Sequence, residues 1–168
     1  MLIIMSGLPG VGKTTIAREL ARAIGAVHIR IDSIEQALRD AGFAGEMNDA
    51  GYRIGYAIAA DNLRLGRAVI ADSVNPIALT RDAWRNVAIR AGVRSIDVEV
   101  ICSDASEHRR RIETRAGDIK GHQLPTWDKI LAREYHQWDQ SRMVIDTALE
   151  DMEHVISRIA AAITMSRS

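Results

Sequence analysis

Residues 7–15 read Gly7-Leu8-Pro9-Gly10-Val11-Gly12-Lys13-Thr14-Thr15, the G-x-x-x-x-G-K-S/T spacing of a phosphate loop. The apolar run Leu2-Ile3-Ile4-Met5 precedes it, and Ile16, Leu20 and Ile24 follow at intervals of four, with Gly25 as a stop. A strand therefore leads into the loop and a helix leads out of it. In that setting the glycines leave room for backbone N–H groups to point inward at phosphate oxygens. Lys13 brings a compact positive charge to the β- and γ-phosphates, and the Thr14 hydroxyl suits a Mg²⁺ ion. The helix adds its positive N-terminal end. The whole stretch from Gly7 to Thr15 is expected to bind a nucleoside triphosphate.

Outward from the loop, apolar β-branched runs at 2–6, 27–31, 68–72, 95–102 and 143–146 alternate with longer helical patterns. Five short strands separated by helices imply a parallel α/β sheet with helices on both faces. Asp97 and Glu99 interrupt the fourth strand, which is expected to project partly beyond its cover. Asn75-Pro76 resembles an N-cap with proline at the first helical position, Gly92 closes that helix, and Asp104-Ala105-Ser106-Glu107 fits a capping box. Residues 149–165 read as a terminal helix covering the sheet.

A chain of 168 residues suits one domain spanning 1–168. Lys plus Arg and Asp plus Glu stand at 22 each, so no overall positive field gathers long nucleic acid. The single Cys102 rules out an internal disulfide and suits a reducing cytoplasm. No apolar run approaches the ~20 residues of a membrane span. The expectation is a soluble cytoplasmic protein, monomer or homodimer.

A phosphate loop alone does not separate a kinase from a switch or a motor, and ligands of open α/β sheets bind at the carboxyl ends of the strands. The second strand ends in Arg30-Ile31-Asp32. Asp32 either accepts a proton from an acceptor hydroxyl or caps the next helix through the box Asp32-x-x-Glu35, a duty from which Ser33-x-x-Gln36, which fits a capping box equally well, would release it. The third strand ends in Asp72-Ser73, where the acid suits Mg²⁺ and the missing glutamate after it favours transfer over hydrolysis. Arg111 and Arg115 lie four apart on a helix leading into a Gly- and Pro-containing segment, about 116–126, of lid character. They are candidates to neutralise the transferring phosphoryl group, whereas Arg109 reads as paired with Glu113. Between the second and third strands, the segment 42–66, with Met47 and Asn48, is where an acceptor site would be built, and Tyr52, Arg53 and Tyr56 are its candidate acceptor contacts. His28 reads as a core residue, and Trp127 chiefly as packing.

Taken together, Gly7 to Thr15, Asp32, Asp72-Ser73-Val74-Asn75-Pro76, Arg111-Ile112-Glu113-Thr114-Arg115 and Val144-Ile145-Asp146-Thr147 resemble, in order, the small AAA-type P-loop kinases. That family includes the kinase domain of phage polynucleotide kinase, gluconate kinases, chloramphenicol phosphotransferase and many bacterial members of unassigned substrate. The resemblance implies a five-stranded sheet of order 2-3-1-4-5, a MgATP donor, Asp32 as base, Lys13 and Arg115 on the phosphates, Arg111 beside the adenine and the loop after Thr147 near the base. Where relatives often place an arginine three residues after the base, this chain has Glu35, which speaks against a polynucleotide acceptor. The expected activity is ATP-dependent phosphoryl transfer to a hydroxyl of a small molecule. A nucleotide-dependent regulatory ATPase or switch and a 5′-hydroxyl polynucleotide kinase stand as alternatives.

Overall fold

The strand that enters the phosphate loop, β1 (Leu2–Ser6), is buried at every position and occupies the centre of a five-stranded parallel sheet. The computed structural model describes residues 1–43 and 49–165. In chain order β1 is followed by α1 (Lys13–Ile24), β2 (Val27–Arg30), α2 (Ile31–Asp40), α3 (Ala50–Arg64), β3 (Val69–Asp72) and α4 (Ala78–Arg90). There follow β4 (Ser95–Ile101), α5 (Ala105–Thr114), α6 (Trp127–Leu131), β5 (Met143–Asp146) and α7 (Met152–Met165). The strands lie in the order β2-β3-β1-β4-β5, the order the family resemblance implies.

Alternate side chains of a strand face opposite sides, and β1 uses both. Ile3 and Met5 join Ile16, Leu20, Val98, Val100, Val155 and Ile159 in the core under α1 and α7. Leu2 and Ile4 join Ile29, Ala59, Leu63, Ala71 and Trp84 under α3 and α4. Two covered faces explain why these strands carry continuous apolar runs.

Four local expectations change. The fourth strand does not project: β4 pairs with β1 and β5 on either side. Asp97 and Glu99 are buried there because Arg85 donates to Asp97, while Arg142 and Tyr135 donate to Glu99. Asn75 does not cap α4, whose N-cap is Ile77. Asn75 instead sits fully buried at φ 47°, a left-handed conformation that Asn tolerates better than most residues. Its amide donates to Met5 O (3.2 Å) and lies 3.1 Å from Ser6 Oγ, which bolts the end of β3 to the end of β1. The terminal helix begins at Met152 because Asp146 turns the chain first, accepting from Ser103 and Ala148 N–H. Asp104 does cap α5, accepting from Ser106 and Glu107 N–H, but Glu107 turns to Arg110 and Arg111 rather than back to the cap.

Candidate active site

A cleft of about 970 Å³ runs along the carboxyl edge of the sheet. The phosphate loop lies at its centre, with Pro9, Gly10, Gly12, Lys13, Thr14 and Thr15 on its wall. Gly7, Leu8 and Val11 do not line it. Gly7 N–H donates to Val74 O (3.1 Å), Leu8 O accepts from Lys13 Nζ (2.8 Å), and Val11 is buried in the core. These three shape the loop instead of touching the cleft. Gly7 has φ 138°, and a Cβ there would stand 2.1 Å from the Val100 carbonyl oxygen, a backbone atom with nowhere to move. Gly7→Ala is accordingly expected to cost about 3 kcal/mol of folding stability, from backbone strain and overpacking together, read as a lower denaturation midpoint.

The loop is braced from behind by residues outside the phosphate-loop motif. His108 on α5 places Nε2 2.8 Å from Pro9 O and meets the Trp127 ring edge-on at 5.1 Å. Arg111 donates to Thr147 Oγ1 (2.7 Å) and Thr147 O (3.1 Å), and the Thr147 hydroxyl lies 2.8 Å from Val11 O. Arg111 and Thr147 both line the cleft, as do Glu150, Met152 and Val155 beyond them. The two apolar side chains give that end a wall suited to a flat base, a contribution hidden in what reads as an ordinary amphipathic helix.

Lys13 is almost fully buried. Burial lowers its pKa to about 8, against the opposing pull of Asp72 and Asp32. Asp72 is buried beside it, with His28 Nε2 3.1 Å from its Oδ2. Burial alone would push the Asp72 carboxyl up; the hydrogen bond from His28, the charge of Lys13 and a hydrogen bond from Thr14 outweigh it, leaving the pKa below the ordinary value. His28 is thus a satisfied residue, and what it satisfies is the acid of the site. The hydroxyl of Thr14 against the carboxylate of Asp72 is an oxygen donor set that fits Mg²⁺, which keeps its remaining positions for water and phosphate.

Asp32 lies in the first turn of α2, whose N-cap is Arg30 without a side-chain cap bond. Neither capping box forms, and Gln36 donates to Asp40 instead. The Asp32 side chain is 43% exposed, faces the cleft, and approaches Arg30 no closer than 3.8 Å. Glu35 lies nearby, 3.5 Å from Arg39; burial, and then the charge of Asp32, raise its pKa.

Of the aromatic candidates, only Tyr52 lines the cleft. Its hydroxyl accepts from Asn75 N–H at 3.3 Å. Tyr56 shares the same helix face but is packed edge-on against Trp84 at 4.6 Å. Arg53 points to solvent, 75% exposed, with Asp49 at 3.9 Å. Both therefore drop out as acceptor contacts, because α3 turns that part of its surface to the core and to water. Met47 and Asn48 lie outside the described residues.

The flanks of the lid converge on the cleft. Arg115 lines it half-buried, with Nε unpartnered, and burial lowers its pKa. From the other flank Lys129 and Arg133, four residues apart, line it too. Arg109 is engaged with Glu113 (2.7 Å), as expected. Arg81 is an unforeseen strut. Fully buried, it donates to Asn75 O, Pro76 O, His136 O and Gln137 O and lies over the Trp138 ring at 4.1 Å. It ties the loop after β3 to the chain returning from α6.

A family model described as an AAA domain matches residues 2–149. The chain belongs to this family. No curated protein matches the sequence. Among solved structures, a protein from Chloroflexus aurantiacus is similar at 19% identity and TM-score 0.73, over 95% of this chain and 96% of that one. A sugar kinase from Janibacter sp. is similar at 20% and 0.68, over 97% and 94%. Kti12 of Chaetomium thermophilum, in complex with ADP-AlF3, is similar at 23% and 0.64, over 97% and 99%. At these identities the likeness establishes the fold, a P-loop architecture shared with these three structures over at least 94% of each chain.

Proposed function

We propose that this AAA-family protein transfers the γ-phosphate of MgATP to a hydroxyl group of a small molecule. The observation that carries the reading is Asp32. Freed from capping and held only loosely by Arg30, its carboxylate faces the cleft that Lys13 and Asp72 also enter. The acceptor oxygen attacks the γ-phosphorus in line as its proton passes to Asp32; the bond to the β,γ-bridging oxygen breaks and ADP leaves with those electrons. Lys13 and the loop N–H groups hold the β- and γ-phosphates. Thr14 and Asp72 would hold Mg²⁺, which would neutralise phosphate charge. Arg111 and Thr147 border the base. The sugar kinase and the ADP-AlF3 complex among the structural relatives support this choice, as does Ser73, which replaces a hydrolytic glutamate and lies hydrogen-bonded to Asn75 Oδ1 at 2.9 Å.

Arg133 joins Arg115 in this scheme. Both line the cleft, and neither side chain makes an ion pair among the described residues. In a site built for a polyanion, such cations await the γ-phosphate. Arg133→Ala is expected to weaken β,γ-imido-ATP binding about tenfold while changing ADP affinity less than about twofold, measured by calorimetry. The function itself is tested by screening hydroxylated metabolites, nucleosides, antibiotics and oligonucleotides for acceptor-dependent ADP release. Release that no acceptor accelerates would return the protein to the switch class, and preference for 5′-hydroxyl oligonucleotides would make it a polynucleotide kinase.

A further inference from the structure

The cations of the cleft fall in two groups. Arg115, Lys129 and Arg133 line it without an ion pair among the described residues, Arg115 within reach of the charges of Asp32 and Asp118 as well as of Lys13. The arginines beside Asp32 and Glu35, in contrast, are held by carboxylates of this chain. Arg30, 13% exposed, presents both terminal nitrogens to Asp118 of the lid, at 2.7 and 3.1 Å. Arg18 reaches the same carboxylate at 2.5 Å, and Arg39 is matched by Glu35. A bidentate arginine–carboxylate fork is the geometry with which a site would otherwise seize an anionic ligand. Here it is spent on the lid.

Resting on the kinase reading above, we propose that the acceptor is an uncharged polyhydroxyl compound, a sugar or polyol, and that Asp118 is the built-in counter-ion that keeps anions out of the acceptor half. An acid or phosphate ester entering there must displace Asp118 from Arg30 and Arg18. It must also lie against Asp32 and Glu35, adding a third negative charge to a pair already close enough that Asp32 helps raise the pKa of Glu35. A neutral polyol meets neither obstacle. It finds hydrogen-bonding groups in Asp32 and Tyr52, and apolar surface for its C–H face in Ile77, Leu124 and Pro125. The strong hold on Asp118 is visible in its carboxyl, which hydrogen bonds from Arg30, and after burial's opposing push those from Arg18, keep well below the usual carboxylate range.

The test uses the full chain, MgATP and matched triples: an aldose or polyol, the corresponding sugar acid and the corresponding phosphate ester, with the amino sugar as a fourth member. The neutral member is expected to show kcat/KM about tenfold or more above the acid and the phosphate ester, and Asp118→Asn to shrink that preference about fivefold or more. A charged member preferred by the wild type, or a preference that Asp118→Asn leaves unmoved, overturns the proposal. A second measurement does not depend on finding the acceptor. Sulfate is titrated into protein saturated with β,γ-imido-ATP, so that the phosphate sites are filled. Asp118→Asn is expected to bind sulfate about tenfold more tightly than the wild type, and equal affinities overturn the proposal. Failure of the kinase reading shows separately, as a wild type that does not bind β,γ-imido-ATP at all or whose ADP release no hydroxyl compound accelerates.

Discussion

Asp32→Asn is expected to lower acceptor-dependent phosphoryl transfer about 10²–10⁴-fold while leaving β,γ-imido-ATP affinity within about twofold. Asparagine keeps the shape and can still accept a hydrogen bond, but it cannot take the proton that the acceptor oxygen must lose. Nothing in the local fold should respond. Asp32 makes no cap bond, its ion-pair partner among the described residues, Arg30, is 3.8 Å away, and 43% of its side chain is exposed, so the denaturation midpoint should stay in place. That separation gives the experiment its force: a rate that falls with affinity and stability intact belongs to chemistry. Glu35 is the natural control, because it shares the helix and the cleft but faces Arg39. A rate unchanged in Asp32→Asn but lost in Glu35→Gln would move the base one turn along α2.

The contrast between Asp32 and Asn75 shows where sequence reasoning reaches and where it stops. Strands β1 and β5, the phosphate loop and the Asp104 cap were legible because each is specified by neighbours within a few residues. Two overlapping capping boxes leave Asp32 undecided; the structure resolves them by starting α2 at Ile31 behind Arg30, two residues too early for a cap at Asp32 and three for one at Ser33. Asn75 before Pro76 has the local grammar of a helix start, yet its amide is claimed by Met5 and Ser6, seventy positions up the chain. No local pattern encodes such a partner.

The same holds for most of the site's scaffolding. His108 serves Pro9, Arg81 serves His136 and Gln137, and Asp118 serves Arg18 and Arg30, all across long separations that only the sheet order closes. Arg53 and Tyr56 illustrate the converse. The periodicity placing Tyr52 and Tyr56 on one face is real, their rings lying 6.1 Å apart, but which end of that face meets the cleft depends on how α3 lies against α2 and α4. Sequence thus pointed to the strand ends and left the pairing of charges across the cleft, such as Arg30 with Asp118, to the fold.

Lys13→Ala removes the positive charge at the centre of the donor site, and transfer is expected to fall about 10²–10³-fold or more, the scale of losing one preorganised electrostatic group, ~2.7–4 kcal/mol. Its pH signature is as informative as its size. In the empty cleft burial brings the ammonium down from 10.5 to about 8. The triphosphate favours the charged form, so its binding raises the pKa again. Below pH 8 the free protein already carries the proton and affinity is flat. Above pH 8 the free protein has lost it and the complex retains it, so ATP affinity should decline with pH, approaching about tenfold per unit, with uptake of one proton. Folding runs the other way: between about 8 and 10.5 the unfolded chain holds a proton that the empty folded protein does not, so Lys13 makes the ligand-free protein more stable as pH rises through that window. Calorimetry in two buffers of different ionisation enthalpy measures the uptake directly. Lys13→Ala should abolish it, and a slope that persists in the variant would assign the proton to another group.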